Sequence, residues 1–246
     1  MSIVVVSATG TGVGKTVVSA ALVSVALHRG RSVAYVKVAQ TGSRLPAPAD
    51  RDTVCRLSGL HETSAHVGAT FPEPMSPEAA ARAAEVPPVQ IHAVAELTLG
   101  LATRHDLVVV EGAGGLLVRF DSAGTTLADL AGLLDAPVIV VVAAGLGTLN
   151  HTALTLEALA HRGLPLGGVV IGSWPRTPGQ VERSNVADLE TAAAQPLAGA
   201  LPARAAGLGV TRFREAAVHG LSPAYGGTFD SAGLLSSSRS GPPARA

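Results

Sequence analysis

The chain has 246 residues, with 18 basic and 18 acidic side chains and no formal net charge, so it lacks the basic footprint that nucleic acid or an anionic membrane surface selects. Hydrophobic residues at 47% and charged residues at 15% exclude a mostly disordered chain, and aromatics at 3% are too sparse for a platform that stacks single strands. Cys55 is the only cysteine, which excludes an intrachain disulfide framework and a cysteine-built metal site.

In chain order, Ile3–Val6 is a β-branched run that reads as a strand, followed by a glycine-rich stretch and a helix over Lys15–His28. Val33–Val38 is a second apolar run, and a polar, proline-containing loop follows over Ser43–Arg51. Thr70–Pro88 carries five prolines and reads as a segment wrapped around an edge of the sheet. Leu107–Val110, Val138–Val142 and Leu166–Ile171 are further short apolar runs, with a helix over Leu149–Ala160 between the last two; Pro196–Leu201 reads as a sixth strand. Near-continuous apolar strands alternating with helices predict an α/β fold, a mostly parallel central sheet with helices on both faces. A single domain is expected over 1–221, and Ser222–Ala246, rich in Gly, Ser, Pro and Ala, is expected to be a disordered or loosely attached tail. The longest apolar stretches, Val17–Leu27 and Ala136–Leu146, fall well short of the roughly 20 residues of a membrane span. The start has no basic segment ahead of its apolar run, so a cytoplasmic protein with no membrane or nucleic-acid partner is expected.

The strongest motif is Ser7-Ala8-Thr9-Gly10-Thr11-Gly12-Val13-Gly14-Lys15-Thr16, set between a strand and a helix. That is the context of a nucleotide phosphate loop, and it makes the expected fold P-loop NTPase-like. Glycines let backbone N–H groups turn around an anion, and the helix dipole from Lys15 onward favours negative charge there. Lys15 can reach β- and γ-phosphates, and the Thr16 hydroxyl can ligate Mg²⁺. Only Lys15 and Lys37 among the 18 cationic residues are lysines, which points to a specific need for a compact ammonium. Lys37 is expected at a strand's carboxyl end, where ligands of open α/β sheets bind; the alternative is a solvated strand end. In either case its truncation is expected to leave the fold intact.

Glu111 closes the strand Leu107–Val110 against Gly112-Ala113-Gly114-Gly115, where a carboxylate can bind Mg²⁺ or begin a helix. Asp50 and Asp52 follow the Ser43–Ala49 loop, and capping a helix is their ordinary role. Gly145-Leu146-Gly147-Thr148-Leu149-Asn150-His151 leads into a helix and offers either a second anion site or ordinary capping by Thr148 or Asn150.

Taken together, these segments resemble the dethiobiotin synthetases, ATP-dependent carboxylases of biotin synthesis, from Ser2 to about residue 205. The likeness rests on the loop Thr9–Thr16, on Lys37 with Gln40-Thr41-Gly42, on Val110–Gly115 and on Leu146–His151. The resemblance implies that CO₂ or bicarbonate, 7,8-diaminononanoate and ATP are the substrates and Mg²⁺ the metal. It implies that Lys37 and Lys15 are catalytic, holding a carbamate whose oxygen attacks the γ-phosphoryl to form a carbamic–phosphoric anhydride, before the second amine closes the ring. Thr16, Asp50 and Glu111 are implied metal ligands. Gly12, Val13, Gly14, Lys15, Thr16, Asp50, Glu111, Gly112, Ala113 and Gly114 are implied on the nucleotide's phosphate side, with Gly172, Ser173, Pro202, Ala203 and Arg204 near its base or ribose. Thr11 and Thr41 are implied substrate contacts. Leu146, Gly147, Thr148, Leu149 and Asn150 are implied to reach the substrate of the neighbouring subunit, hence a homodimer. Relatives read adenine with an amide after the fifth strand. Gly172-Ser173-Trp174-Pro175 supplies none there, so other nucleoside triphosphates are expected to serve. The rival reading is a switch ATPase of the partition or septum-positioning class, which carries a second loop lysine; here Lys15 is the only one in the loop.

Overall fold

Val- and Ile-rich runs hide their backbone polar groups only by pairing with one another, and they do so in a sheet covered on both faces. The computed structural model describes residues 3–44 and 48–236. Its strands are β1 (Ile3–Ala8), β2 (Val33–Gln40), β3 (Ala65–Thr70), β4 (Leu107–Glu111), β5 (Val138–Val142), β6 (Leu166–Trp174) and β7 (Gly199–Pro202). All six pairings are parallel, in the order β3-β2-β4-β1-β5-β6-β7. The helices are α1 (Lys15–His28), α2 (Asp50–Ser58), α3 (Pro77–Ala84), α4 (Ile91–Ala102), α5 (Leu127–Leu133), α6 (Thr148–His161), α7 (Gln180–Ala193), α8 (Val210–Gly220) and α9 (Ala232–Ser236).

Side chains alternate across the sheet and divide the core in two. Val4, Val6, Tyr35 and Val109 pack with Val18 and Leu22 of α1, Leu57 of α2 and Phe213 of α8. Val5, Val36, Val108 and Val140 pack with Val94 of α4, Leu130 of α5, Leu159 of α6 and Leu189 of α7. Helix α1 packs on the sheet and also against α2 and α8, which lie on the same sheet face, and this explains why the sequence shows apolar residues on several of its faces.

Six of the seven strands fall where the apolar runs predict them, with β2 and β6 running on to Gln40 and Trp174. Strand β3 is the one the sequence does not reveal. It is an edge strand paired only with β2, its burial is mixed, and Ala65-His66-Val67-Gly68-Ala69-Thr70 has no continuous apolar run. The proline-rich segment after it is more regular than expected: Phe71 is buried, and Pro77 opens α3 at its first turn. Of the loop expected over Ser43–Arg51, residues 45–47 lie outside the described residues.

The expectation of a loose tail from Ser222 is corrected for its first part. The Tyr225 hydroxyl donates to Gly167 O at 2.7 Å, and Arg29 Nη2 donates to Gly226 O at 2.7 Å. Thr228 N donates to Val218 O at 2.7 Å, and Phe229 is buried in the core. A tyrosine and a phenylalanine in a Gly- and Ser-rich stretch are enough to dock it. Residues 237–246 lie outside the described residues.

Candidate active site

Strand β1 delivers the glycine loop to the carboxyl edge of the sheet, where Thr9 N donates to Val141 O of β5 at 3.0 Å. Gly12 and Gly14 both have positive φ, and Gly14 is the N-cap of α1, with no side chain capping the helix. The first-turn N–H groups of α1 are thereby left for an anion. A Cβ on Gly14 would meet Gly172 O at 2.7 Å, and one on Gly172 would meet Val13 O at 2.1 Å. The end of β6 is therefore a backbone buttress for the loop, a contact only two glycines allow.

The two-residue period of a strand fixes the rest. Lys37 shares a face with Tyr35 on β2, and Glu111 shares that face with Val109 on β4. Lys37 and Glu111 are register partners across the two strands. Lys37 Nζ donates to Glu111 Oε1 at 2.8 Å and to Gly112 O at 3.0 Å, and it pairs with Asp50 Oδ2 at 2.6 Å. The Thr16 hydroxyl lies 3.0 Å from Asp50 Oδ1 and 2.8 Å from Glu111 Oε1. The Tyr35 hydroxyl donates to Glu111 Oε2 at 2.9 Å.

Asp50 does not cap α2. It is the first helical residue after the N-cap Ala49, its N–H donates to Gln40 Oε1 at 2.9 Å, and its carboxylate turns to Thr16 and Lys37. Asp52 is exposed and pairs with Arg51, which separates two aspartates the sequence leaves open. Lys37 is not at a solvated strand end but inside β2, 3% exposed.

Four charges, from Lys15, Lys37, Asp50 and Glu111, cancel within this cluster. Burial disfavours the ammonium of Lys37, but Glu111 and Asp50 outweigh it and hold its pKa above the ordinary lysine value. Burial likewise opposes the charge on Asp50, and Lys37 with the Thr16 hydroxyl outweighs it, so its carboxyl lies below the usual range. Lys15 is shifted the other way, first by burial and then by the nearby Lys37. Among the described residues no carboxylate lies within 4.0 Å of its ammonium, so Lys15 is the cation left for an incoming anion. Burial first, and then the Glu111 carboxylate, push the Tyr35 phenol well above its usual value, so it is a donor.

The donor set fits Mg²⁺. One hydroxyl, Thr16 Oγ1, faces an oxygen of each carboxylate, and its single proton satisfies only one of them at a time. Three hard oxygens converge, and among the described residues no group of three or more His, Cys, Asp or Glu forms a protein-only cage. Such a set suits an ion that keeps waters and shares phosphate oxygens.

A cavity of about 600 Å³ opens beside the cluster, walled by the loop residues Thr11, Gly12, Gly14, Lys15 and Thr16. Lys37, Thr41, Asp50, Glu111, Ala113 and Gly114 complete the part that the sequence anticipates. Val13 and Gly112 lie within the same segments, and Gly112 contributes its carbonyl to Lys37. The sequence does not anticipate the opposite wall, Pro74, Met75, Ser76 and Pro77 with Val118. The prolines that suggest a wrapping segment are the only signal that could have found it.

Gly172, Ser173 and Pro202–Arg204 lie outside this cavity, where Ala203 N donates to Trp174 O at 2.7 Å. Leu146–Asn150 is also outside it. Gly147 is the N-cap of α6 with no side-chain cap, so of the two readings the sequence offers, ordinary capping by Thr148 or Asn150 is not what the structure shows. The Thr148 hydroxyl is buried with no hydrogen-bond partner among the described residues, and Leu146 is 94% exposed.

Residues 2–206 match a family model described as an AAA domain. The chain is 54% identical over 230 residues to the ATP-dependent dethiobiotin synthetase BioD of Streptomyces coelicolor, covering 94% of this chain and 96% of that one. It is 54% identical to the protein of the same name in Frankia casuarinae (93% and 95% covered) and 50% identical to that of Rhodococcus jostii (88% and 93%). Among solved structures, a ParA family ATPase from Chlorobium tepidum superposes with a TM-score of 0.52 at 14% identity, covering 90% of each chain. The MinC:MinD cell division complex of Aquifex aeolicus gives 0.50 at 13% identity, covering 82% and 81%. At such identities these two share the fold alone.

Proposed function

The chain belongs to the dethiobiotin synthetase family, and from that membership we propose that it converts 7,8-diaminononanoate, CO₂ and ATP to dethiobiotin, ADP and phosphate in biotin synthesis. It is an ATP-dependent ligase, and within that class we assign it as a C–N bond-forming cyclo-ligase. The observation that carries this reading is the meeting of Thr16, Lys37, Asp50 and Glu111, from four separate segments, beside a glycine loop whose own Lys15 has no carboxylate within 4.0 Å among the described residues.

The chemistry follows from those groups. CO₂ adds to one amine of the substrate to give a carbamate. Lys37 has three N–H groups, and in the structure all three are committed, to Asp50, Glu111 and Gly112. With Asp50 and Glu111 holding a metal, Lys37 would keep the Gly112 carbonyl and would offer its remaining N–H groups to the carbamate. Lys15 and the first-turn N–H groups of α1 hold the γ-phosphoryl in reach of the carbamate oxygen. That oxygen forms a bond to phosphorus and ADP leaves. The second amine then attacks the carbonyl carbon, the ring closes, and phosphate departs with the former CO₂ oxygen. Magnesium, held by Thr16, Asp50 and Glu111, would neutralise charge on the phosphates.

Gly12–Thr16 and Gly112–Gly114 are assigned to the phosphates, Gly172, Ser173 and Pro202–Arg204 to the base and ribose, and Thr11 and Thr41 to the diamino acid. The uncapped start of α6, the Thr148 hydroxyl with no partner among the described residues and the exposed Leu146 support a homodimer in which Leu146–Asn150 completes the neighbour's substrate site. No helix among the described residues is long and apolar enough to cross a membrane, and a cytoplasmic location is our assignment for an enzyme of this kind. The test is phosphate release with MgATP, the diamino acid and bicarbonate, each omitted in turn. Dependence on all three is expected, and release that ignores the diamino acid would contradict the assignment.

A further inference from the structure

Tyr35 is one of only two tyrosines in the chain, and it is fully buried in β2 among valines and alanines. Phenylalanine would fill the same space without bringing a hydroxyl into the core, so the hydroxyl asks for a reason. Among the described residues it donates to Glu111 Oε2, at 2.9 Å. The other oxygen of the same carboxylate, Oε1, faces Thr16 and Lys37. The two oxygens of Glu111 are thus divided, one toward the cavity and one toward the phenol. The terminal torsion of a glutamate is soft, and nothing in the chain's covalent geometry fixes which oxygen faces forward. A donor from below fixes it.

We propose that Tyr35 is a positioning residue for Glu111, holding Oε2 so that the carboxylate presents Oε1 alone to a metal bound beside Thr16 and Asp50. Partners of this kind, one shell behind the ligands, commonly change metal affinity or activity by 10–100-fold. The assignment rests on the reading of Thr16, Asp50 and Glu111 as the magnesium ligands. No family motif quoted above includes Tyr35, and it is found by period alone, two residues before Lys37 on the same face.

The test is Mn²⁺ binding to the ADP-bound protein, followed by electron paramagnetic resonance, in wild type, Tyr35→Phe and Thr16→Ala. Tyr35→Phe is expected to weaken Mn²⁺ roughly tenfold while leaving metal-free ADP binding unchanged. If Tyr35→Phe only lowers the melting midpoint and binds Mn²⁺ as wild type does, the hydroxyl is merely structural and the proposal is overturned. If Thr16→Ala also binds Mn²⁺ as wild type does, the metal reading itself falls, and the proposal falls with it. A second measurement does not depend on that variant's folding. In a Tyr225→Phe background Tyr35 is the only tyrosine, and Mn²⁺ added to the ADP complex should perturb its near-ultraviolet band. An unperturbed band would overturn the proposal.

Discussion

Lys37 and Glu111 stand opposite each other across β2 and β4, joined at 2.8 Å, with the lysine 3% and the glutamate 0% exposed. A buried pair of this kind adds little net stability, but removing one partner strands the other charge in the core. The pair holds two groups of opposite sign on one face of the sheet, below a loop that accepts phosphate.

Lys37→Ala therefore affects both activity and stability. Turnover should fall by at least about a hundredfold, since a charged donor to the carbamate is lost. The unfolding free energy in urea should drop by about 3–5 kcal/mol, because Glu111 keeps its burial without its cation. The sequence, placing Lys37 at a strand end, leads to the opposite expectation of an intact fold; its burial inside β2 is the reason for the difference. A variant as stable as wild type would mean that Glu111 is relieved by some other group.

Asp50 makes stability acid-sensitive. Its pKa in the folded protein lies below the unfolded value near 3.9, so its contribution is present above that value and is lost as the pH falls through the folded one. Lys37, with a raised pKa, contributes below about 10.4 and loses that contribution as the pH rises further. Melting midpoints of metal-free protein should form a plateau between these limits. Asp50→Asn should flatten the acid arm below pH 4; an unchanged acid arm would contradict the ion pair's role.

Gly172→Ala places a methyl group 2.1 Å from Val13 O, a distance no structure tolerates. The loop or the end of β6 must shift, at a cost of about 1–3 kcal/mol, and turnover should fall by at least about tenfold. The same segment bears on nucleotide choice, since Gly172-Ser173 offers no side-chain amide to a base. Turnover with CTP or GTP should be comparable to that with ATP, and strict dependence on ATP would contradict this.

Tyr225 reports the docking of residues 222–235. Burial raises its phenol to about 12, so the contribution is present below the unfolded value near 10 and is lost as pH rises toward 12. Stability should fall by about 2–3 kcal/mol across that window, and the fall should be smaller by that amount in Tyr225→Phe. Truncation after Leu221 also removes the buried Phe229, which alone is worth about 1.5–3 kcal/mol. An undiminished melting midpoint after that truncation would mean the segment is not docked.

The central strands and α1 are legible in the sequence because they are covered on both faces and their apolar runs are unbroken. The glycine loop is legible because its chemistry demands glycines, a lysine and a threonine in one short stretch. Three features escape for physical reasons. Strand β3 lies at an edge and carries no clear period. The wall at Pro74–Pro77 is built by tertiary contact, which prolines mark only as an interruption. The ion pair of Lys37 with Asp50 and Glu111 joins residues 13 and 74 positions apart in the numbering; the pairing of β2 with β4 sets Glu111 against Lys37, and the start of α2 brings in Asp50.

The most direct test of the account follows an oxygen atom. The protein is mixed with MgATP, 7,8-diaminononanoate and ¹⁸O-labelled CO₂, and quenched before the label exchanges with water. If a carbamate oxygen attacks the γ-phosphoryl beside Lys15 and Lys37, the released phosphate carries one ¹⁸O for each ring closed. Unlabelled phosphate formed in step with the cyclic product would mean that water, not the carbamate, attacks phosphorus, and the assigned roles of both lysines would fail.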